Sequence, residues 1–209
     1  MAVTVDPRKT GLPYPAHLGT YTWATKPTAS DYAAGTTIRA SDVGISPGML
    51  LVSDGTRWIP DGMQVLARSN AAAALTGTVN ETALATITVP AGLLGVSGSL
   101  FVAATQTYTN SASSKTIRLR FSGISGTAYY SNAFTTTAAN YFERTIANRT
   151  ASSQVSNYSN ATNQFVATAG TFITSAVDTS AETTAVISGQ LASSGETITL
   201  ENYQVWLLP

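Results

Sequence analysis

Short stretches in which apolar and polar residues alternate recur along most of this chain. The clearest is residues 115–121, where three apolar side chains share one phase and two arginines occupy the other. Period-two alternation of this kind is typical of a half-buried β-strand. Turn residues bound further stretches at residues 82–89, 99–108, 141–147, 154–156, 171–177, 183–191 and 197–208. The pattern predicts an all-β protein of short antiparallel strands.

Residues 1–68 are predicted to form a separate unit, an extended arm followed by a small β module. Pro13 and Pro15 favour an extended backbone in the arm, which covers about the first 30 residues. Strands are expected at residues 36–39, 49–53 and 56–60, and Asp54-Gly55 predicts a type I′ hairpin turn between the last two. The apolar side chains of the arm must pack either on their own domain or on another protein.

Residues 76–209 are predicted to form an antiparallel jelly roll or β-sandwich of about eight strands. The alanine-rich residues 69–75 are expected to be a linker or a helical turn before it. In the last strand Ile198 and Leu200 share one phase while Tyr203, Val205 and Leu207 share the other, which predicts a β-bulge near Asn202.

The chain is poor in charge, and this favours a protein that works inside an assembly. Only 11% of its residues are charged and the formal net charge is zero, against about 25% charged residues in ordinary domains. There is no basic patch that would predict a nucleic-acid partner, no apolar run long enough to predict a membrane partner, and no cysteine. The start of the chain does not have the pattern of a signal peptide.

The apolar C-terminal strand is expected to be buried, because an exposed flat edge of this kind favours aggregation. A jelly roll can bury its last strand in a sheet that faces a trimer axis. Val205, Trp206 and Leu208 are therefore the candidate trimer contacts of a homotrimer.

Catalytic and metal chemistry find little support in the sequence. The single histidine, His17, lies in the proline-rich arm and is not expected to act as a catalytic base or zinc ligand. Asp54, Asp61 and Asp178 could contribute to a calcium site, but they are not at loop-ligand spacing. Carboxyl pairs for glycoside hydrolysis would come from the acids of the second domain: Glu81, Glu143, Asp178, Glu182, Glu196 and Glu201. We expect no enzyme, no metal and no cofactor.

Sugar binding is the best alternative chemistry, because exposed aromatic rings beside asparagine and serine can contact a glycan. Tyr129, Tyr130, Tyr141 and Tyr158 are the candidate glycan contacts, since they lie in or near predicted loops. The competing interpretation is that these rings fill the core, which is the commoner use of aromatic residues in strands.

Two sets of segments resemble known proteins. Residues 23–30, 34–36, 42–44 and 52–58 resemble the N-terminal module of tail-fibre-like and decoration proteins of tailed bacteriophages. Residues 89–95, 108–111, 115–121, 146–149 and 197–201 are similar to jelly-roll domains of phage virion surface proteins. The shared residues are turn and strand signatures and include no catalytic motif.

The resemblance implies a non-enzymatic virion component that assembles as a homotrimer, with the capsid, portal or tail as further partners. Residues 1–68 would attach it to the particle, with Tyr14, Leu18, Tyr21, Trp23 and Trp58 as the anchoring residues. A head decoration or head fibre is the first hypothesis. A tail receptor-binding protein that recognises a host surface glycan is the alternative, and a polysaccharide depolymerase is the third.

Overall fold

The computed structural model describes residues 16–156 and 172–209. Tyr14 and Tyr158, two of the predicted site residues, lie outside these ranges. In the described residues no helix is long and apolar enough to cross a membrane. A 3₁₀ turn spans Ala29–Asp31, and the strands are β1 His17–Tyr21, β2 Thr37–Ala40, β3 Met49–Ser53, β4 Trp58–Pro60, β5 Gln64–Ser69, β6 Ala73–Leu75, β7 Thr82–Val89, β8 Ser99–Tyr108, β9 Lys115–Phe121, β10 Thr127–Phe134, β11 Ala139–Thr150, β12 Ser153–Ser156, β13 Ile173–Ser175, β14 Thr183–Leu191 and β15 Ile198–Leu208.

The N-terminal module is a four-stranded sheet in the order β1-β2-β3-β4. Strand β1 pairs with β2 in parallel, and the other two pairs are antiparallel. The predicted strand at 49–53 is β3, in which alternate residues are buried, and the Trp58 ring packs 6.1 Å from that of Tyr32. The described part of the arm packs on its own module through the pairing of β1 with β2, and the Trp23 indole also reaches the Ala91 carbonyl just after β7.

The hairpin between β3 and β4 forms at the predicted place with a different turn. Ser53 pairs with Trp58, so the loop has four residues, Asp54 to Arg57. Gly55 has a φ of +96°, whereas Asp54 is not among the residues with positive φ, so the predicted type I′ turn is wrong. The Asp54 carboxylate instead accepts hydrogen bonds from the Thr56 and Arg57 amides at 2.8 Å, which stabilises the longer loop.

Two antiparallel sheets form the rest of the described residues and confirm the predicted all-β sandwich of the jelly-roll class. The smaller sheet has the order β10-β9-β14-β7. The larger has seven strands, in the order β13-β12-β11-β8-β15-β5, with β6 also paired to β15. Their facing sides bury a continuous apolar core that includes Leu100, Leu119, Phe142, Ile187 and Leu207.

Strands β5 and β6 differ from the expectation for their segments. Both pair with β15 in the seven-stranded sheet, so the end of the predicted module and the predicted linker at 69–75 are built into the sandwich. Leu75 is buried opposite Ile198, and this tertiary pairing outweighs the helical preference of the preceding alanines.

The predicted bulge in the last strand is confirmed. The pairing of β15 with β8 shifts register between Leu200 and Asn202. The extra residue lets Leu200 on one side of the bulge and Val205 and Leu207 on the other all point into the core.

Candidate functional surfaces

The outward face of the seven-stranded sheet is the first candidate surface. Because side chains alternate along a strand, burial of Val205 and Leu207 places Gln204, Trp206 and Leu208 on the opposite side. Trp206 and Leu208 are half-buried, and Gln204 is exposed. We call this side of strands β5, β15, β8 and β11 the outer face.

An aromatic pair lies in the middle of the outer face. Trp206 is opposite Phe101 on β8, and their ring centroids are 5.4 Å apart. The same cross-strand row continues to Val65 on β5 and to Thr145 on β11. The row is therefore apolar over three neighbouring strands, and each of its three apolar side chains is half-buried.

The next row along the outer face holds its charges. Arg68 is opposite Gln204, Gln204 is opposite Ala103, and Ala103 is opposite Glu143. Arg68 is exposed and Glu143 is half-buried. The row of Trp206 and the row of Gln204 together therefore have two charged residues, Arg68 on β5 and Glu143 on β11.

Tyr141 gives the outer face its most exposed aromatic ring, with 53% of its surface accessible. Its hydroxyl donates a 3.1 Å hydrogen bond to Glu143 Oε2, and its cross-strand neighbour is Thr105. Burial, this hydrogen bond and the charge of Glu143 all raise the pKa of the tyrosine hydroxyl. The Tyr141 hydroxyl therefore releases its proton less readily than that of a free tyrosine.

The second candidate surface is a groove of about 320 Å³ between the module and the sandwich. Trp23, Trp58, Lys26 and Arg57 line its module side, and Ala91 lies on its sandwich side. The groove therefore brings together two of the predicted anchoring residues. We call it the junction groove.

Trp23 joins the two sides of the junction groove. Its backbone amide donates to Asp42 Oδ1 at 2.7 Å, and its indole N–H donates to the Ala91 carbonyl at 3.2 Å. The Lys26 ammonium lies 3.8 Å from the Trp23 ring centroid. Burial lowers the pKa of Lys26, and the nearby Asp42 carboxylate opposes that shift.

The other described anchoring residues serve the module itself. Trp58 is 4% exposed, and its indole N–H donates to the Pro27 carbonyl at 2.6 Å. Leu18 and Tyr21 are half-buried against the core, with the Tyr21 hydroxyl bonded to the Leu18 carbonyl. Of this set, the structure places Trp23 and Trp58 at the groove.

The predicted trimer contacts divide between the two sides of β15. Val205 is 0% exposed and belongs to the core, so its side chain is not available to another subunit. This corrects the expectation for Val205. Trp206 and Leu208 point outward, where a contact between subunits remains a proposal.

Two of the candidate glycan residues are buried, which corrects the expectation for both. Tyr129 lies edge-on to Phe121, and Tyr130 stacks on Phe142 with ring centroids 4.3 Å apart. A register shift between Ala128 and Tyr130 in the pairing of β10 with β9 allows both consecutive rings to enter the core. Tyr141 alone among the described candidates is exposed.

Three of the acids considered for hydrolysis, Glu81, Glu196 and Glu201, have local partners. Glu81 pairs with Arg118 and Arg120, and Glu196 pairs with the buried Lys115 at 3.3 Å. Glu201 accepts a hydrogen bond from the Thr107 hydroxyl. Among the described residues no group of three or more acids, histidines or cysteines is arranged to hold a metal ion.

A buried polar network links β11, β12, β13 and the following loop, and sequence analysis did not identify it. Gln154 on β12 bonds Asn148, Ser175 and the Val177 backbone. Asn148 in turn donates to the Thr179 hydroxyl at 2.8 Å. The only sign of this network in the sequence is Gln154 itself, a polar residue at a buried position of a short strand. The segment around it is polar and predicts a loop, so the network was not expected.

Comparison with known proteins leaves the family open. No family model matches the chain, and no curated protein matches it. Among solved structures, a carbohydrate-binding module from Cellvibrio mixtus lichenase 5A, in complex with cellotriose, is 12% identical with a TM-score of 0.24, covering 83% of this chain and 97% of that one. The VP2 subviral particle of infectious bursal disease virus is 13% identical with a TM-score of 0.28, covering 84% of this chain and 47% of that one. This chain therefore spans about half the length of the viral chain, and TM-scores this low define neither a ligand nor a partner.

Proposed function

We propose that this protein is a structural component of a bacteriophage virion, displayed as a homotrimer on the particle surface as a head decoration or head fibre. The observation that supports it best is the outer face, where a half-buried apolar row of Val65, Trp206 and Phe101 lies on a sheet with few charges. A face of this kind gains free energy from self-association, by about 25 cal/mol for each Å² of apolar surface buried.

Attachment to the particle is assigned to the N-terminal module. The module is a compact sheet with its own aromatic cluster around Trp58, and the junction groove lies beside it. The two sets of sequence segments that resemble phage surface proteins support the same assignment, with attachment by the N-terminal module and assembly through the sandwich. The mechanism is mechanical and adhesive, without a catalytic step.

Two measurements test this function. Light scattering on the purified full-length chain is expected to give three times the chain mass of 21.7 kDa. Gold-labelled antibody against the chain is expected to mark many sites around the heads of purified particles. A chain missing from purified particles would refute the virion assignment, and label confined to tails would refute the decoration.

The exposed ring of Tyr141 favours a second candidate function, a tail protein that recognises a host surface glycan. Thr105 lies opposite Tyr141, and Asn202 lies opposite Thr105, so polar groups flank the ring. If the glycan stacks on this ring, Tyr141→Ala is expected to weaken binding to host polysaccharide about fivefold, since an aromatic contact contributes about 1 kcal/mol.

Tyr141→Phe is the matched control for this test, because it keeps the ring and removes only the hydroxyl. Surface plasmon resonance on immobilised host polysaccharide measures both variants. Equal binding by the Tyr141→Ala variant and the parent would remove Tyr141 from any glycan site. Release of soluble sugar during the assay would instead point to the depolymerase hypothesis.

A further inference from the structure

The outer face places opposite charges at the two ends of one cross-strand row. Arg68 on β5 and Glu143 on β11 are separated by Gln204 and Ala103 on the two strands between them. Neighbouring strands lie about 4.8 Å apart, so the two ends of the row are about 14 Å apart. No ion pair joins them within the described chain.

We infer that copies of this chain associate through the outer face, with Arg68 of one copy paired with Glu143 of the next. The inference rests on the proposed homotrimer and names its contact. In a closed ring the β5 end of each face meets the β11 end of its neighbour, so every Arg68 and every Glu143 finds a partner. The Trp206 and Phe101 rings, which lie on the adjacent row between the two ends, then point toward the axis.

A second copy fits this face better than an unrelated partner because the face is complementary to itself. Its two central rows have one positive and one negative charge, so copies do not repel each other. Of the four strands of this face, the outer two hold the charges and the inner two hold the apolar rings, and a polar border around an apolar centre is usual in a stable interface. The half-exposed Leu208 extends the apolar part on β15.

A charge swap tests this contact in the full-length protein. Arg68→Glu alone and Glu143→Arg alone are each expected to raise the dissociation constant of the oligomer at least about tenfold, because each places like charges together. The double variant Arg68→Glu with Glu143→Arg restores the pair in reverse and is expected to return to within about threefold of the parent. Sedimentation equilibrium measures all four proteins.

Glu182→Arg is the matched control, because Glu182 is exposed just before β14 on the other sheet. It makes the same change of charge and is expected to leave the dissociation constant unchanged. Thermal unfolding of each variant verifies that the fold is intact, and the double variant keeps the test valid if a single variant unfolds.

Single variants that associate as tightly as the parent, a double variant that does not recover, or a monomeric parent at every concentration would each overturn the contact. A monomeric parent would also refute the proposed homotrimer, whereas the outcomes of the charge swap are separate from the test of function. If the charge-swap variants have the same dissociation constant as the parent and the protein is found on particles, the contact is refuted and the virion assignment stands. If the dissociation constants change as expected but the protein is missing from particles, the virion assignment is refuted and the contact stands.

Discussion

Replacing Gln154 with alanine is expected to lower the free energy of unfolding by about 3–5 kcal/mol, since it leaves several buried polar groups without partners. The side chain is 0% exposed and makes four hydrogen bonds. Its amide nitrogen donates to Asn148 Oδ1 at 3.1 Å and to the Val177 carbonyl at 2.9 Å. Its oxygen accepts from the Ser175 hydroxyl at 2.8 Å and the Val177 amide at 2.9 Å.

Two further variants separate the causes of this loss. Gln154→Leu keeps the volume of the side chain, so a comparable loss would assign the effect to hydrogen bonds and not to a cavity. Asn110→Ala, at an exposed position, is expected to change the stability by less than about 0.5 kcal/mol. Urea unfolding measures all three, and a Gln154→Ala protein as stable as the parent would show that the network contributes little.

Glu81→Gln is expected to lower the free energy of unfolding by about 2–3 kcal/mol at neutral pH, because it leaves two arginines without their shared carboxylate. Arg120 donates to both oxygens of Glu81, at 2.6 and 2.8 Å, and an Arg118 nitrogen lies 3.1 Å away. The Ser188 hydroxyl donates a further bond at 2.5 Å. The expected loss is below that of a fully buried pair, since each of the charged side chains keeps 19% of its surface exposed.

The same site predicts a dependence of stability on pH. Burial by itself raises the pKa of Glu81. The hydrogen bonds from Arg120 and Ser188, together with the charges of Arg118 and Arg120, outweigh this effect and hold the pKa below its ordinary value of 4.5. The folded state therefore holds the proton less tightly than the unfolded chain. The stabilisation is present above about pH 4.5 and is lost as the pH falls through the folded pKa.

Comparing urea unfolding at pH 7 and pH 3 tests this dependence. The difference in stability between the parent and Glu81→Gln is expected to shrink at the lower pH, because Glu81 is then increasingly protonated in both states. Glu182→Gln is the control, since it removes an exposed carboxylate outside the cluster. A gap between parent and Glu81→Gln that stays constant with pH would contradict the assignment.

Much of the strand structure could be predicted from the sequence. Strands β7, β8, β9 and β14 begin and end at the predicted residues, because alternation and turn residues are local properties of the chain. The bulge near Asn202 was also predictable. The apolar residues change from even to odd positions between Leu200 and Tyr203, and a strand buried on one side can keep both sets in the core only with an extra residue.

The candidate site was less predictable, because burial depends on what covers each strand. The sequence does not show the bulge in β10 that puts Tyr129 and Tyr130 into the core. Nor does it show that Gln154, in a polar segment, would meet the Val177 backbone. Tyr141 and Tyr130 both lie in strands, and only the packed sheets show that the first is exposed and the second is buried.

The sequence by itself determined the all-β class, the low charge and the alternation that gives β15 an outward side. Only the tertiary structure decided that β5 and β11 lie on either side of β15 and β8, which puts Arg68 and Glu143 on one row. The reason is physical: alternation is encoded over a few neighbouring residues, whereas strand order and register follow from burying the whole core at once.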